Sequence, residues 1–164
     1  MSGEAASSSL PSRARRVALR TFGRLPPPVR RLAVRAGTTT YTVGCLAVLQ
    51  REGFVLVLEQ PHLSGLSLPG GLLQRGESPQ DCVVREVHEE LGLLLPFGSA
   101  PAAVVVDGRA RRVDLVFRLR TDVDPSEGTS DEVQGLRWVA PGSAGLSTIT
   151  GQALDALAAA DGEA

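Results

Sequence analysis

The chain has 164 residues, of which 43% are apolar, and its formal net charge is −1. This length is sufficient for one globular core but short for two domains. No stretch approaches the roughly eighteen apolar residues of a membrane-spanning helix, and the basic N-terminus lacks the apolar core of a secretory signal. We therefore expect a protein without a transmembrane segment, located in the cytoplasm.

Charge and cysteine content divide the chain further. Residues 1–40 contain eight arginines and the single acid Glu4, whereas the rest contains nine arginines and seventeen acids. Cys45 and Cys82 are the only cysteines, which are too few for a disulfide framework or a cysteine-rich zinc site. Both lie in apolar surroundings typical of buried free thiols, which fits a reducing compartment.

The first predicted elements belong to a basic N-terminal extension, residues 1–37. Residues 1–12 are small and polar and are predicted to be disordered, while residues 13–25 and 29–36 can form short helices separated by a run of three prolines. The composition also suits an organellar transit peptide in a eukaryotic source, or an amphipathic helix on anionic lipid or nucleic acid. Because its apolar stripe is short and interrupted, we favour packing on the domain or across a homodimer, and we expect no nucleic acid partner.

Residues 38–164 are predicted to form a single domain with alternating strands and helices. A turn at residues 51–53 and the pair Asp107-Gly108 both indicate hairpins. The predicted strands span residues 38–42, 43–49, 54–60, 102–106, 111–120 and 136–139. A polar loop over residues 122–131 and a closing helix over 149–160 complete the domain.

The clearest helix is predicted over residues 79–91. Ser78 is a good N-cap, Pro79 suits the first helical position, Asp81 can complete a contact like a capping box, and Gly92 can end the helix in a left-handed conformation.

Two faces of this helix differ in chemistry. Its apolar face contains Val83, Val84, Val87 and Leu91, and the neighbouring face contains Glu86, Glu89 and Glu90. Residues three and four apart are neighbours on a helix, so these carboxylates repel one another unless a positive group offsets them. Hard cations such as Mg²⁺ and Mn²⁺ prefer carboxylate oxygens and bridge them to substrate phosphates. The pattern therefore indicates metal-dependent phosphate chemistry, although a merely solvated acidic face is the usual origin of such a run.

A longer motif surrounds the glutamates. Seven identities stand at fixed spacing over 23 residues, together with aliphatic residues at two further positions: Gly71, Glu77, Arg85, Glu86, Glu89, Glu90 and Gly92, with Val87 and Leu93. This pattern resembles the complete signature of the Nudix hydrolases. The resemblance extends over residues 41–160 and implies a Nudix-type α/β/α sandwich with a mixed sheet.

The resemblance implies water attack on a pyrophosphate in a nucleoside diphosphate linked to another group X. Mg²⁺ or Mn²⁺ would be held by Glu86, Glu89, Glu90 and the Gly70 carbonyl. Glu86 is our choice of general base, although this role differs among family members. Glu77 would complete the acidic site. Arg85 would orient a carboxylate, with Glu77 or Glu86 as its partner in a bidentate contact.

Other polar residues have two interpretations each. Arg109, Arg111 and Arg112 follow the Asp107-Gly108 turn and would either bind substrate phosphates or form an exposed hairpin end. Glu132 lies where some Nudix enzymes have a further acid. His62 and His88 are interpreted as surface residues, and Trp138 as a core residue.

The substrate is predicted by exclusion. The proline that many ADP-ribose hydrolases carry beyond the motif is replaced by Gly108 and Arg109, and the tyrosine common in dinucleoside polyphosphate hydrolases is absent. A nucleoside or deoxynucleoside triphosphate remains as the expected small-molecule substrate. The alternatives are ADP-ribose, a sugar nucleotide, or a non-catalytic nucleotide-binding module, which would be expected to have lost glutamates of the motif.

Overall fold

The computed structural model describes residues 20, 22–61, 63–125 and 133–162. Two compact units are present, one ending at Thr40 and the other beginning at Tyr41. In the first, helix α1 (Pro27–Gly37) includes the predicted helix over residues 29–36, and Pro27 and Pro28 form its first turn instead of preceding it. Most of the helix predicted over residues 13–25 lies outside the described residues. No helix of the described chain is long and apolar enough to span a membrane.

The second unit is built on one mixed sheet of six strands. In chain order these are β1 (Thr42–Arg51), β2 (Phe54–Glu59), β3 (Gly70–Leu72), β4 (Ala103–Asp107), β5 (Arg112–Arg120) and β6 (Gly135–Val139). The order across the sheet is β4-β5-β1-β2-β6, and β3 pairs with the first half of β1. The β1–β5 pairing is parallel and the other pairings are antiparallel.

Helices α2 (Pro79–Leu91) and α3 (Thr148–Gly162) cover opposite faces of the sheet. Successive side chains of a strand point to opposite faces, so β1 contributes to two separate apolar clusters. The cluster beneath α2 includes Cys45, Ala47, Leu49, Val83 and Val87, and the cluster beneath α3 includes Leu46, Val48, Ala153 and Leu157. The predicted α/β/α sandwich with a mixed sheet is confirmed.

Three local features differ from the predicted elements. The strand predicted over residues 38–42 is absent before Thr42, because Thr42 pairs with Arg112, the first residue of β5, and no strand lies beside the preceding residues. Strand β3 adds to the predicted strands, since three residues carry no strand pattern without their partner β1. The β4–β5 turn comprises residues 108–111, not the Asp107-Gly108 pair.

The Asp107 side chain stabilises that longer turn. Its Oδ1 atom accepts hydrogen bonds from the backbone N–H groups of Arg109, at 2.8 Å, and Ala110, at 2.9 Å. Arg111 then takes a left-handed φ of 51°. Strand β5 begins at the next residue, Arg112. Because the length of the turn sets the register of the hairpin, it also sets which side chains of β5 face α2.

Candidate active site

Local capping positions the glutamates of α2. The Ser78 hydroxyl accepts from the backbone N–H of Asp81 at 3.2 Å and donates to its carboxylate at 2.6 Å. At the other end Gly92 has φ 69° and its N–H donates to the carbonyl of His88. The helix therefore has the limits that the sequence predicts, with the apolar face buried and the acidic face beside β3.

Arg85 is the counterion of this acidic face. Its Nη1 atom donates to Glu86 Oε1 at 2.7 Å and to Glu89 Oε2 at 3.1 Å. Its Nη2 atom also donates to the carbonyl of Leu72 in β3, at 3.3 Å. The repulsion between Glu86 and Glu89 is thus offset by one shared guanidinium.

Arg85 also forms an ion pair with Glu77, which lies in the loop before the helix. The Nε–Oε1 distance is 2.8 Å and the Nη2–Oε2 distance is 3.1 Å, so the contact is bidentate. The hydrogen bond from Arg85 lowers the pKa of Glu77 to about 2, and the same contact raises the pKa of Arg85. Because the Glu77 side chain is only 13% exposed, this pair ties the loop to the helix as a charged unit.

Glu90 has a different environment from the other glutamates. It is 8% exposed, and its Oε1 accepts a hydrogen bond from the Gln60 amide at 2.9 Å. Its Oε2 accepts from the backbone N–H of Gly70 at 2.8 Å. The Gln60 amide oxygen in turn accepts from the Ser67 hydroxyl at 3.0 Å. No sequence pattern singles out Gln60 and Ser67, because strand β2 and the loop after it bring them to α2 from a distant part of the chain.

Two adjacent glycines allow the backbone to approach these carboxylates. A Cβ atom on Gly70 would lie 2.2 Å from the Cys45 carbonyl oxygen, and its φ of 146° is unfavourable for other residues. A Cβ atom on Gly71 would lie 2.3 Å from Glu86 Oε1. Gly70 is therefore required by the backbone of β1, and Gly71 by the carboxylate of Glu86.

The glutamates open onto a pocket of about 410 Å³. Its polar lining includes Gln60, Ser67, Glu86, Glu89, Glu90 and Arg112. Gly70 and Gly71 line the same pocket, so β3, paired with β1, forms part of its wall together with the helix carboxylates. This arrangement places acidic and basic groups around one cavity large enough for a small molecule.

A second ion pair fixes Arg112 at this pocket. Its Nε atom lies 2.9 and 2.8 Å from the two oxygens of Asp114, which is 1% exposed, and its Nη2 lies 2.7 Å from Oδ1. Gly44 of the adjacent β1 makes room for this pair, since a Cβ there would lie 2.3 Å from Asp114 Oδ1. The sequence feature that could have identified this pair is an acid, Asp114, within an apolar strand. It lies two residues from Arg112, and residues two apart in a strand lie on the same face.

The remaining candidates within the described residues do not line this pocket. Arg109 and Arg111 are exposed on the hairpin and do not line the pocket, so their contact with substrate stays a prediction. His88 is exposed. Glu132 and His62 lie outside the described residues. Trp138 is partly buried against the α2 cluster, with the Arg51 guanidinium 4.3 Å from its ring centre.

Both cysteines are buried and free, as predicted, and they lie directly under this site. Arg85 Nη2 is 3.7 Å from the Cys82 sulfur. Burial raises the pKa of both thiols, so neither is a reactive thiolate at neutral pH. Their role in the described structure is packing beneath Arg85 and Glu77.

Comparison with known proteins identifies the family. The NUDIX domain model matches residues 38–159. The chain therefore belongs to the Nudix hydrolase family, and the seven motif residues are its signature in this sequence.

Individual relatives cover only part of the length. The MutT-like protein of Streptomyces ambofaciens is 32% identical over 97 residues, which cover 57% of this chain and 60% of that protein. A putative 8-oxo-dGTP diphosphatase of Bacillus subtilis (strain 168) is 29% identical over 106 residues, 62% of this chain and 68% of that protein. A crystal structure of a MutT NUDIX hydrolase from Burkholderia pseudomallei is 27% identical, covers 73% of this chain and 99% of its own, and has a TM-score of 0.61. The chain thus spans less than two thirds of the MutT-like protein.

Nudix hydrolases generally need a divalent ion such as Mg²⁺ or Mn²⁺. The carboxylates of Glu86, Glu89 and Glu90 share a pocket with Gly70, and their oxygens are the ligands that such ions prefer. Among the described residues, however, no three acidic, histidine or cysteine side chains converge as a finished cage. The reason is that Glu86 and Glu89 turn towards Arg85, and Glu90 towards Gln60. A carboxylate oxygen has two lone pairs, so Glu90 can bind the ion while it keeps its hydrogen bonds to Gln60 and Gly70. The donor set fits the ion when Glu86 and Glu89 exchange their hydrogen bonds with Arg85 for coordination.

Proposed function

We propose that this chain hydrolyses a pyrophosphate bond in a nucleoside diphosphate linked to X, with a nucleoside or deoxynucleoside triphosphate as the substrate. The observation that carries the proposal is the single pocket lined by Glu86, Glu89, Glu90 and Arg112. Carboxylates that can hold a cation, next to an arginine that can bind phosphate, are the combination that phosphoanhydride hydrolysis needs.

Gly70 and the charged residues of the motif have different roles in this reaction. Gly70, Glu86, Glu89 and Glu90 would hold Mg²⁺ or Mn²⁺, which supplies charge neutralisation of the phosphate oxygens and polarises the attacking water. Glu86 accepts a proton from that water while the water oxygen forms its bond to phosphorus. The bridging P–O bond breaks, and the bridging oxygen leaves with its electron pair. Arg85 orients Glu86 and Glu89 through Nη1, and Glu77 holds Arg85 in place.

Arg112 is proposed as the phosphate-binding residue of the pocket. Within the described structure, Arg112 donates from Nε and Nη2 to the carboxylate of Asp114. The Nη1 group takes no part in that pair and can donate to a phosphate oxygen. Because Asp114 is buried, the guanidinium is held in one orientation before substrate binds, which reduces the ordering that binding requires.

The apolar lining of the pocket supports broad base selectivity. It is aliphatic and includes Leu46, Leu63, Leu68, Leu72 and Ile149, and none of the described residues that line it is aromatic. Base stacking is therefore weak, and phosphate and metal contacts dominate affinity. We expect triphosphates with different bases to be hydrolysed at rates within about tenfold of one another, or about 1.4 kcal/mol.

A substrate panel tests this assignment. Nucleoside triphosphates, oxidised dGTP, ADP-ribose, dinucleoside polyphosphates, sugar nucleotides and CoA are each supplied with Mg²⁺ or Mn²⁺, and the rate of phosphate or nucleotide release is measured. A triphosphate is expected to react fastest. Cleavage of ADP-ribose or a sugar nucleotide a hundredfold faster would replace the substrate while keeping the chemistry. Binding without turnover of any compound would favour the non-catalytic nucleotide-binding module.

Location and assembly are separate proposals. The two free thiols fit a reducing cytoplasm. We propose residues 38–164 as the catalytic domain and residues 1–37 as an extension that packs on the domain or across a homodimer. Sedimentation and urea denaturation of the full chain and of a variant beginning at residue 38 test this role. The same oligomeric state and the same free energy of unfolding in both would contradict it.

A further inference from the structure

Three polar side chains form a hydrogen-bonded series under the pocket. The Ser67 hydroxyl donates to the Gln60 amide oxygen, and the Gln60 amide nitrogen donates to Glu90. All three residues are buried, with exposures of 4% for Ser67 and 8% for the other two. Gln60 and Ser67 are outside the family signature and come from strand β2's end and the following loop.

The series has a direction. A carboxylate only accepts hydrogen bonds, so the Gln60 group facing Glu90 is its NH₂. The amide oxygen must then face the other way, where the Ser67 hydroxyl donates to it at 3.0 Å. Ser67 thus fixes the orientation of the amide, and the amide fixes one oxygen of Glu90.

The second oxygen of Glu90 is fixed by the backbone N–H of Gly70 at 2.8 Å. Gly70 is also the residue whose carbonyl is expected to bind the cation. A carboxylate held at both oxygens cannot rotate freely about its last torsion, so Glu90 and Gly70 keep a fixed relation to each other.

We propose that Gln60, oriented by Ser67, is a positioning residue that holds the Glu90 carboxylate for divalent-cation binding. This inference rests on the proposed function, since it assumes that Glu90 is a ligand. Hydrogen-bond partners of metal ligands typically contribute 10–100-fold to metal affinity. Gln60 is one hydrogen bond away from the proposed ligand Glu90, and Ser67 is two hydrogen bonds away.

The test measures binding of Mn²⁺ alone to the full chain, by electron paramagnetic resonance of the free ion and by calorimetry. Gln60→Met keeps the length of the side chain and removes both hydrogen bonds. Gln152→Met, on the exposed side of α3, is the matched control. We expect a Kd for Mn²⁺ about 10–100-fold higher in Gln60→Met and within about twofold of the parent in the control. Ser67→Ala should weaken binding in the same direction, by less than Gln60→Met, and it tests the series if Gln60→Met fails to fold.

Three outcomes are distinguished by including Glu90→Gln. If Glu90→Gln loses Mn²⁺ and Gln60→Met and Ser67→Ala bind it like the parent, the positioning role is wrong and the proposed function stands. If Glu90→Gln also binds Mn²⁺ like the parent, the metal site of the proposed function is wrong. Weakened binding in the Gln60 or Ser67 variant, with folding shown intact by circular dichroism, supports the inference.

Discussion

Substitution of the two adjacent glycines of β3 by alanine should separate folding from catalysis. The same methyl group meets different obstacles at the two positions. At Gly70 it would overlap the carbonyl oxygen of Cys45, at 2.2 Å, and the Cα of Leu46, at 2.9 Å, both of which are backbone atoms. At Gly71 the three nearest atoms all belong to the carboxylate of Glu86, at 2.3–2.7 Å. Backbone atoms of a central strand cannot yield, whereas a side-chain carboxylate can.

The magnitudes follow from these contacts. For Gly70→Ala, the φ of 146° adds about 1–3 kcal/mol of strain. Overpacking against β1 adds about 1–3 kcal/mol. A loss of about 2–6 kcal/mol is a large part of the 5–15 kcal/mol that stabilises a typical domain. For Gly71→Ala, Glu86 Oε1 must move about 1 Å, from 2.3 Å to an ordinary contact of 3.4 Å. A displacement of that size in a catalytic group lowers the rate by about 10²-fold.

The assay combines urea denaturation with triphosphate hydrolysis at saturating Mg²⁺. Gly71→Ala should lose about 10²-fold in rate. Its free energy of unfolding should fall by no more than about 1–2 kcal/mol, the value of the hydrogen bond that Arg85 donates to Glu86. Gly70→Ala should be poorly folded. Gly98→Ala, with nothing within 4 Å of its added methyl, is the control and should resemble the parent. A fully active Gly71→Ala would refute the contact between this glycine and a functional Glu86.

Three further predictions use the same site. Activity should vanish in excess chelator and return with Mg²⁺ or Mn²⁺; unchanged turnover in EDTA would exclude the metal site. Glu89→Gln and Glu90→Gln should each lower kcat by about 10²–10³-fold without unfolding, because each removes one charge from the pocket; near-parental rates in both would argue against the ligand set. Glu77→Gln should have a lower free energy of unfolding than the parent. This difference should shrink as pH falls from about 4.5 towards 2, because the lowered pKa of Glu77 stabilises the fold only while the carboxylate is charged. A difference in unfolding free energy that is independent of pH over that range would contradict the charged pair with Arg85.

What could be predicted from the sequence was local. The limits of α2 depend on Ser78, Pro79 and Gly92, which act within one turn of the helix, and the structure has the same limits. The two-sided burial of β1 likewise follows from a continuous apolar run.

What could not be predicted depends on contacts distant in the chain. Gln60 and Glu90 are 30 residues apart and meet only because β2 and α2 pack together. Arg112 was a candidate from the sequence but Asp114 was not, because the burial of their ion pair beside Gly44 depends on the parallel pairing of β1 with β5. Strand β3 has no pattern of its own, so its role in holding Gly70 beside Glu90 appears only in the folded chain.

The sharing of Arg85 has a kinetic consequence. Glu77, Glu86, Glu89, Glu90 and Asp114 together carry five formal negative charges, and the guanidinium groups of Arg85 and Arg112 offset two of them. A bare triphosphate approaching this pocket meets a net repulsion, whereas a cation is attracted. The two ligands should therefore not bind in random order: the cation should bind first, or arrive already bound to the nucleotide. Free nucleotide in excess of cation should then act as an inhibitor by withdrawing the ion, and initial rates should depend on the concentration of the cation–nucleotide complex instead of on total nucleotide.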